Sequence, residues 1–174
     1  MTPTLLTNRL VLEPYVKADE EDFVALFSDP RVARWVGDGP EPEEANRALF
    51  GRVFTKVYAT GAFDVWAVRE NGAYVGHGEI KPSEETGGHE FVYMLAEHAW
   101  GRGLGTELAA AICAYGFETL GLDEVGATVA DQNTGSLAVM AKLGFEHVRD
   151  KPEDDGHVTK VLTLKRPSSQ NPAV

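Results

Sequence analysis

Three glycines at alternate positions, Gly101, Gly103 and Gly105, come directly before a stretch with helical periodicity. Glycine allows backbone conformations that other residues avoid, and it lets backbone N–H groups approach a ligand closely. A helix that begins at Thr106 would add unpaired N–H groups and the positive end of its dipole. Because a strand-like apolar segment, residues 89–95, precedes the loop, the pattern predicts a strand–loop–helix junction that binds phosphate.

The glycine spacing differs from two common phosphate-binding motifs. A P-loop needs a lysine directly after its last glycine, and here Thr106 follows Gly105. A dinucleotide-binding fold places Gly-x-Gly-x-x-Gly after the first strand of the chain, with an acidic residue about 20 positions later. In this chain the pattern is Gly-x-Gly-x-Gly and lies far from the N-terminus. Both motifs are therefore disfavoured.

Three segments resemble the GNAT family of N-acetyltransferases. Residues 100–107, Trp-Gly-Arg-Gly-Leu-Gly-Thr-Glu, resemble its pyrophosphate-binding signature, Arg/Gln-x-x-Gly-x-Gly/Ala. Residues 7–14 and 132–145 are similar to two further segments of the branch that acetylates ribosomal-protein N-termini, the RimJ/RimL type, which commonly has Trp at the first position of the signature. Since these segments follow the order of the family, the resemblance covers most of the chain.

The order of the elements predicts a mixed α/β fold. The resemblance implies the GNAT fold, a mostly antiparallel central sheet of about six or seven strands with splayed parallel central strands and about four flanking helices. Asn71-Gly72 is a strong signal for a two-residue hairpin. Periodicity and breakers predict strands at residues 9–13, 63–69, 74–81, 89–95, 124–129, 145–149 and 158–164, and helices at 19–28, 43–59, 106–120 and 133–143, with a short turn at 30–35.

Length, composition and charge indicate the general class of protein. We expect one domain over residues 1–166 and a disordered tail over 167–174. We expect neither a signal peptide nor a transmembrane segment, and the single cysteine, Cys113, suits a cytoplasmic protein. The net charge of −11 argues against nucleic-acid binding and would suit a basic acceptor. The five histidines lack metal-ligand spacing, so no metal is expected.

The resemblance implies acetyl-CoA as co-substrate. In the family the central strand carries a bulge and splays from the next strand, and the pantetheine arm pairs with it like an added strand. On this basis the backbones of Tyr93, Met94 and Leu95 contact the thioester and the arm. The implied diphosphate segment comprises Trp100, Gly101, Arg102, Gly103, Leu104, Gly105 and Thr106.

The implied reaction is direct attack of a neutral primary amine on the thioester in a ternary complex. Three residues are candidates for the base that accepts the amine proton. Glu90 lies on the central strand, where the family branch often has Glu. Glu79 and His77 are two residues apart on the preceding strand, so their side chains share one face. Each of the three has the alternative of a purely structural role.

Two residues near the start of the last helix are candidates for contacts with the cofactor and its leaving thiolate. The resemblance implies that Asn133 contacts the cofactor and that Ser136 donates a hydrogen bond or a proton to the departing thiolate. Asn133 is also a good helix N-cap, which is the structural alternative. Met140 occupies the position where many relatives have a tyrosine that acts as the general acid. The thioether of Met140 cannot donate a proton.

The acceptor and the assembly remain open at the level of sequence. Trp35 and residues 37–42 lie where family members shape the acceptor pocket. The acceptor is a protein N-terminus or a small-molecule amine, such as an aminoglycoside or a polyamine. The alternative from another class is a non-catalytic acyl-CoA-binding module with the same cofactor loop. We expect a monomer or a homodimer that binds neither nucleic acid nor membrane.

Overall fold

The computed structural model describes residues 1–37 and 39–168, so most of the predicted tail, residues 167–174, lies outside the described residues. The strands are β1 (Leu5–Leu6), β2 (Leu10–Glu13), β3 (Asp64–Glu70), β4 (Ala73–Ser83), β5 (Gly88–Leu95), β6 (Glu124–Ala130), β7 (Glu146–Pro152) and β8 (Val158–Lys165). The helices are α1 (Glu20–Ser28), α2 (Pro30–Ala33), α3 (Glu43–Arg52), α4 (Leu104–Glu118) and α5 (Thr134–Leu143).

The strands form one sheet in the order β1-β2-β3-β4-β5-β6-β8-β7. Neighbouring strands are antiparallel except for β5 and β6, which are parallel. The predicted mixed, mostly antiparallel sheet is therefore confirmed. It has one strand more than expected because the two-residue β1 extends the edge, and one helix more because the turn predicted at residues 30–35 contains α2.

The hairpin between β3 and β4 has the predicted two-residue turn, and both turn residues have positive φ angles, 51° at Asn71 and 82° at Gly72. The register of β4 against β5 runs without a shift from Gly76–Leu95 to Ser83–Gly88. The central strand β5 therefore lacks the expected bulge in its pairing with β4. A register shift is found instead between β3 and β4, at Val68 and Arg69 of β3.

The parallel strands β5 and β6 are joined at a single residue pair, Glu90 with Gly126. After Glu90, β5 has no strand partner on its β6 side within the described chain. The two strands therefore splay, as the resemblance implied. This opening in the middle of the sheet is where a ligand can reach strand backbone that has no ladder partner.

Helix α4 packs one apolar side on the sheet beside the opening. It begins at Leu104, two residues earlier than the predicted start at Thr106, because Gly103 already has the left-handed N-cap conformation with φ 79°. Leu104, Leu108 and Ile112 are completely buried against the strands. The helix predicted for residues 43–59 is α-helical only to Arg52 and continues as a π-helix, Val53–Tyr58.

A second apolar cluster covers the other face of the sheet, where α1 and α3 meet Val65 and Ala67 of β3. Helices thus cover both faces of the sheet, and the opening between β5 and β6 lies between these two faces. In the described part of the chain, no helix combines the length and the apolar character that a membrane crossing needs.

The position of α4 depends on its buried leucines. We predict that Leu108→Ala lowers the free energy of unfolding by about 2–5 kcal/mol, because it removes a completely buried side chain and leaves a cavity under the helix. Leu120→Ala, at a residue that is 37% exposed, is the matched control and should cost less than about 1 kcal/mol. Urea unfolding measures both. Equal losses would contradict the described packing of α4.

Candidate functional site

The loop before α4 has a run of free hydrogen-bond donors. The backbone N–H groups of residues 101–106 donate to no acceptor in the part of the chain that the structure describes. The first residues of any helix leave such groups unpaired, and here positive φ angles at Gly101 (69°) and Gly103 (79°) extend the run into the loop. Consecutive free amides at a helix N-terminus suit an anion such as a diphosphate.

Side chains of the same loop are turned to the protein rather than to a ligand. The Arg102 guanidinium makes two hydrogen bonds to the Glu70 carboxylate, at 2.8 and 2.7 Å. Arg102 is therefore not part of the cavity wall, and its predicted place in the diphosphate segment concerns its backbone alone. The Trp100 indole N–H donates to the Leu95 carbonyl at 2.7 Å, so this carbonyl, which we expected to contact the pantetheine arm, already accepts one hydrogen bond.

A cavity of about 500 Å³ lies between the loop, β5 and α5. Its volume is in the usual range for small-molecule sites. Two basic side chains that the sequence analysis missed, Arg34 and Lys142, lie on its wall, and no spacing in the sequence signals them. The predicted cofactor residues that line it are Tyr93, Met94, Leu95, Trp100, Gly101, Gly103, Leu104, Gly105, Thr106, Asn133 and Ser136.

A smaller cavity of about 270 Å³ lies in the opening between β5 and β6. Trp35 and Gly37, from the loop expected to shape the acceptor pocket, are on its wall, together with Glu79, Lys81 and Glu90. Four residues line both cavities, so the two spaces meet. These shared residues are Trp35, Tyr93, Asn133 and Ser136.

Glu90 is a buried carboxylate on the wall of the smaller cavity, with only 7% of its surface exposed. The Thr128 hydroxyl on β6 donates a hydrogen bond to it across the opening. Glu90 has no salt-bridge partner among the described residues. A buried carboxylate without a cation is costly, so this side chain is suited to receive a positively charged group from a ligand.

Glu79 also lines the smaller cavity, but its charge is already compensated. Burial alone would raise its pKa, yet the interactions with His77 and Lys81 lower the pKa to about 2. The Lys81 ammonium lies 2.5 Å from one carboxylate oxygen and His77 Nε2 lies 3.6 Å from the other. A carboxylate with so low a pKa is a weak base, which disfavours Glu79 as the proton acceptor.

His77 is not on the wall of either cavity, which disfavours it as the base for the cleft. The ring is 4% exposed and packs against Tyr15, Phe23 and Phe27 beneath α1. Its Nδ1 atom is hydrogen-bonded to the Tyr15 hydroxyl at 2.9 Å. In the structure His77 is thus a packed residue that lies next to Glu79.

A pair of hydroxyl groups lies where the cavities meet. Tyr93 Oη and Ser136 Oγ are 3.1 Å apart. Burial raises the pKa of Tyr93 despite the opposing hydrogen bond to Ser136, so the phenol stays protonated at neutral pH and can donate. The sequence predicts only a backbone role for Tyr93. Its ring packs against Gly105, where an added Cβ would lie 3.4 Å from Cε2, and this spatial contact has no signal in the sequence.

Asn133 is the N-cap of α5, and its side-chain oxygen accepts from the Ser136 backbone N–H at 3.1 Å. The capping alternative is therefore confirmed. The cap also brings Asn133 and Ser136 to the junction of the cavities. In the described residues, no group of three or more His, Cys, Asp or Glu side chains could hold a metal ion.

Free amides at a helix start, beside a strand with unpaired backbone, are typical of sites for a phosphorylated, extended ligand. The Acetyltransferase (GNAT) domain model matches residues 9–146. The chain therefore belongs to the GNAT family of acetyltransferases, a family that uses acetyl-CoA, as the resemblance had indicated.

Relatives and solved structures agree with this family. An uncharacterised N-acetyltransferase of Bacillus subtilis, YoaA, is 28% identical over 150 residues, which cover 84% of this chain and 84% of the relative. An acetyltransferase from Agrobacterium tumefaciens has a TM-score of 0.80 at 26% identity, over 95% of this chain and 96% of that chain. RimJ from Mycobacterium smegmatis, solved in complex with CoA-disulfide, has a TM-score of 0.82 at 18% identity, over 97% of this chain and 90% of that chain, which shows the shared fold.

The compensated charge of Glu79 gives a prediction for stability against pH. Its pKa in the folded protein, about 2, lies below its ordinary value of 4.5, so its stabilising contribution is complete above the ordinary value and is lost as the pH falls towards 2. Glu79→Gln should therefore lower the urea midpoint at about pH 7 and do so less at about pH 3. Glu44→Gln, at an exposed residue, controls for the lost charge. A Glu79→Gln difference that does not depend on pH would contradict the described Glu79 contacts.

Proposed function

We propose that the chain transfers an acetyl group from acetyl-CoA to a primary amine by direct attack in a ternary complex. The observation that carries the proposal is the meeting of two cavities at Tyr93 and Ser136. One cavity is lined by Gly101 and residues 103–106, which carry free amides, and the other has the buried carboxylate of Glu90 on its wall. Donors for a diphosphate and an acceptor for an amine proton are thus on opposite sides of one junction.

Acetyl-CoA fits the larger cavity by the chemistry of its wall. The free amides of residues 101–106 would hold the diphosphate, and Arg34 and Lys142 add positive charge in a chain whose net charge is −11. The unpaired side of β5 after Glu90 would pair with the amides of the arm. The complex of RimJ from M. smegmatis with CoA-disulfide supports this choice of ligand, since the two folds agree.

When bound, acetyl-CoA supplies a thioester carbonyl that an amine can attack. Glu90 would hold the acceptor ammonium, take its proton directly or through one water, and leave the neutral amine. The new C–N bond forms as the C–S bond breaks, the nitrogen loses its second proton to solvent, and the CoA thiolate takes up a proton and leaves as the thiol. The hydroxyl groups of Ser136 and Tyr93 would donate hydrogen bonds to the departing sulfur, while the thioether of Met140 has no proton to donate.

The smaller cavity limits the size of the acceptor group that can enter it. Its volume of about 270 Å³ takes an amine and its immediate neighbours, so a protein N-terminus or a compact small-molecule amine would insert only its end. An α-amino group has a reference pKa near 7.7–8.0, against about 10.4 for lysine, and is therefore easier to deprotonate at neutral pH. A single carboxylate such as Glu90 is better matched to the α-amino group.

The test measures release of CoA thiol after acetyl-CoA is mixed with a panel of N-terminal peptides, polyamines and aminoglycosides. We expect at least one amine to accelerate release. With that amine, Glu90→Gln should lower kcat about a hundredfold or more at neutral pH, because the proton acceptor is lost. The defect should shrink above the pKa of the acceptor, where the amine arrives neutral.

Glu84→Gln is the matched control, since Glu84 is exposed in the turn before β5 and lines neither cavity. It should leave kcat unchanged. If CoA binds but no amine in the panel accelerates thiol release, the chain would be an acyl-CoA-binding module rather than an enzyme. If Glu90→Gln retains the wild-type rate at neutral pH, Glu90 is not the base.

A further inference from the structure

The segment at residues 7–14 resembled the family, but the proposed chemistry leaves it without a role. In the structure its side chains meet the first turns of α4 (Leu104–Glu118). The Glu107 carboxylate accepts three hydrogen bonds, from Thr7 Oγ1 at 2.6 Å, from the Arg9 backbone N–H at 2.7 Å and from Arg9 Nε at 2.7 Å. These contacts join the start of β2 to the start of the helix that faces the larger cavity.

The same arginine also holds the glycine loop. Arg9 Nη1 donates to the Arg102 carbonyl at 2.8 Å. Arg9 Nη2 lies 3.5 Å from where a Cβ on Gly103 would be. One planar guanidinium therefore contacts the helix through Glu107 and the loop through Arg102, which fixes their relative position because the fork is rigid.

The contact with Glu107 also has an electrostatic consequence for an anion at the helix start. A free carboxylate in the first turns of α4 would repel a diphosphate bound to the same turns. Burial opposes ionisation of Glu107, but the hydrogen bonds from Thr7 and Arg9 lower its pKa below the ordinary value, so it is ionised. The positive charge of Arg9 at 2.7 Å offsets that negative charge.

We propose that Arg9 is a positioning residue that preorganises the amides of residues 101–106 for the diphosphate of CoA. The inference rests on the proposed function, because that function supplies the ligand. Arg9 lies behind the loop and outside the cavity wall. Together with the Arg102–Glu70 pair, it ties the loop to β2 and β3, so the free amides need not be ordered when the ligand binds.

The experiment measures CoA affinity by calorimetry and thermal stability for the wild-type protein and three variants. Arg9→Ala should raise the Kd for CoA on the order of tenfold, since it removes charge-assisted hydrogen bonds and leaves Glu107 uncompensated. Arg9→Lys keeps the charge but cannot bridge Glu107 and Arg102 together, so its Kd should lie between those of the wild type and Arg9→Ala.

Arg47→Ala is the matched control. Arg47 pairs with Glu21 at 2.6 Å and is 38% exposed in its side chain, close to the 39% of Arg9, but it lies on α3 away from the loop. We expect its Kd for CoA to equal that of the wild type. An equal loss in Arg47→Ala and Arg9→Ala would overturn the proposal, because the effect would then be one of general stability.

The other outcomes separate the two proposals. Wild-type affinity in a folded Arg9→Ala overturns the positioning role and leaves the proposed function intact. If Arg9→Ala does not fold, the Kd of Arg9→Lys for CoA is the test. A wild-type Kd in Arg9→Lys overturns the positioning role of Arg9, and a several-fold higher Kd supports it. Absence of CoA binding by the wild-type protein overturns the proposed function itself.

Discussion

Hydrogen-bond donors without acceptors are the constraint on which the rest of the site depends. The run of free amides at residues 101–106 extends from the exposed glycine loop to the buried Leu104, and these donors are available to a partner from outside the chain. The left-handed conformation of Gly103 starts α4 with these donors free, and the buried side chains of Leu104 and Leu108 fix the direction in which the helix presents them. An anion is the partner that both the donors and the helix dipole favour.

The splay of β5 from β6 places the proposed anion site next to the proposed site of reaction. Successive side chains of a strand point to opposite faces, so Glu90 and Tyr93 lie on different faces of β5. The opening allows both to line one space, with the hydroxyl group of Tyr93 near Ser136 and the carboxylate of Glu90 near Thr128. A closed ladder would keep these two sets of groups apart.

Much of the fold, including the glycine loop before α4, could be predicted from the sequence, because local signals determine it. Alternation and the Asn71-Gly72 turn predicted the β3–β4 hairpin, and glycine spacing predicted a loop that leads into a helix. The features that the sequence could not predict depend on long-range packing. The spacing of His77 and Glu79 predicts that their side chains share a face of the strand. It does not predict the aromatic cluster that covers His77 or the Lys81 ammonium that compensates the charge of Glu79. The contact between Arg9 and the loop joins residues far apart in sequence and has no local signature.

The most direct measurement of the central claim is an amide-resolved NMR titration of the ¹⁵N-labelled protein with CoA. The account predicts that the largest downfield shifts occur at the N–H groups of residues 101–106, since these donors gain acceptors, and that pantetheine, which lacks the diphosphate, shifts them far less. Saturable CoA binding that leaves these amides unshifted would contradict the claim that the glycine loop holds the diphosphate.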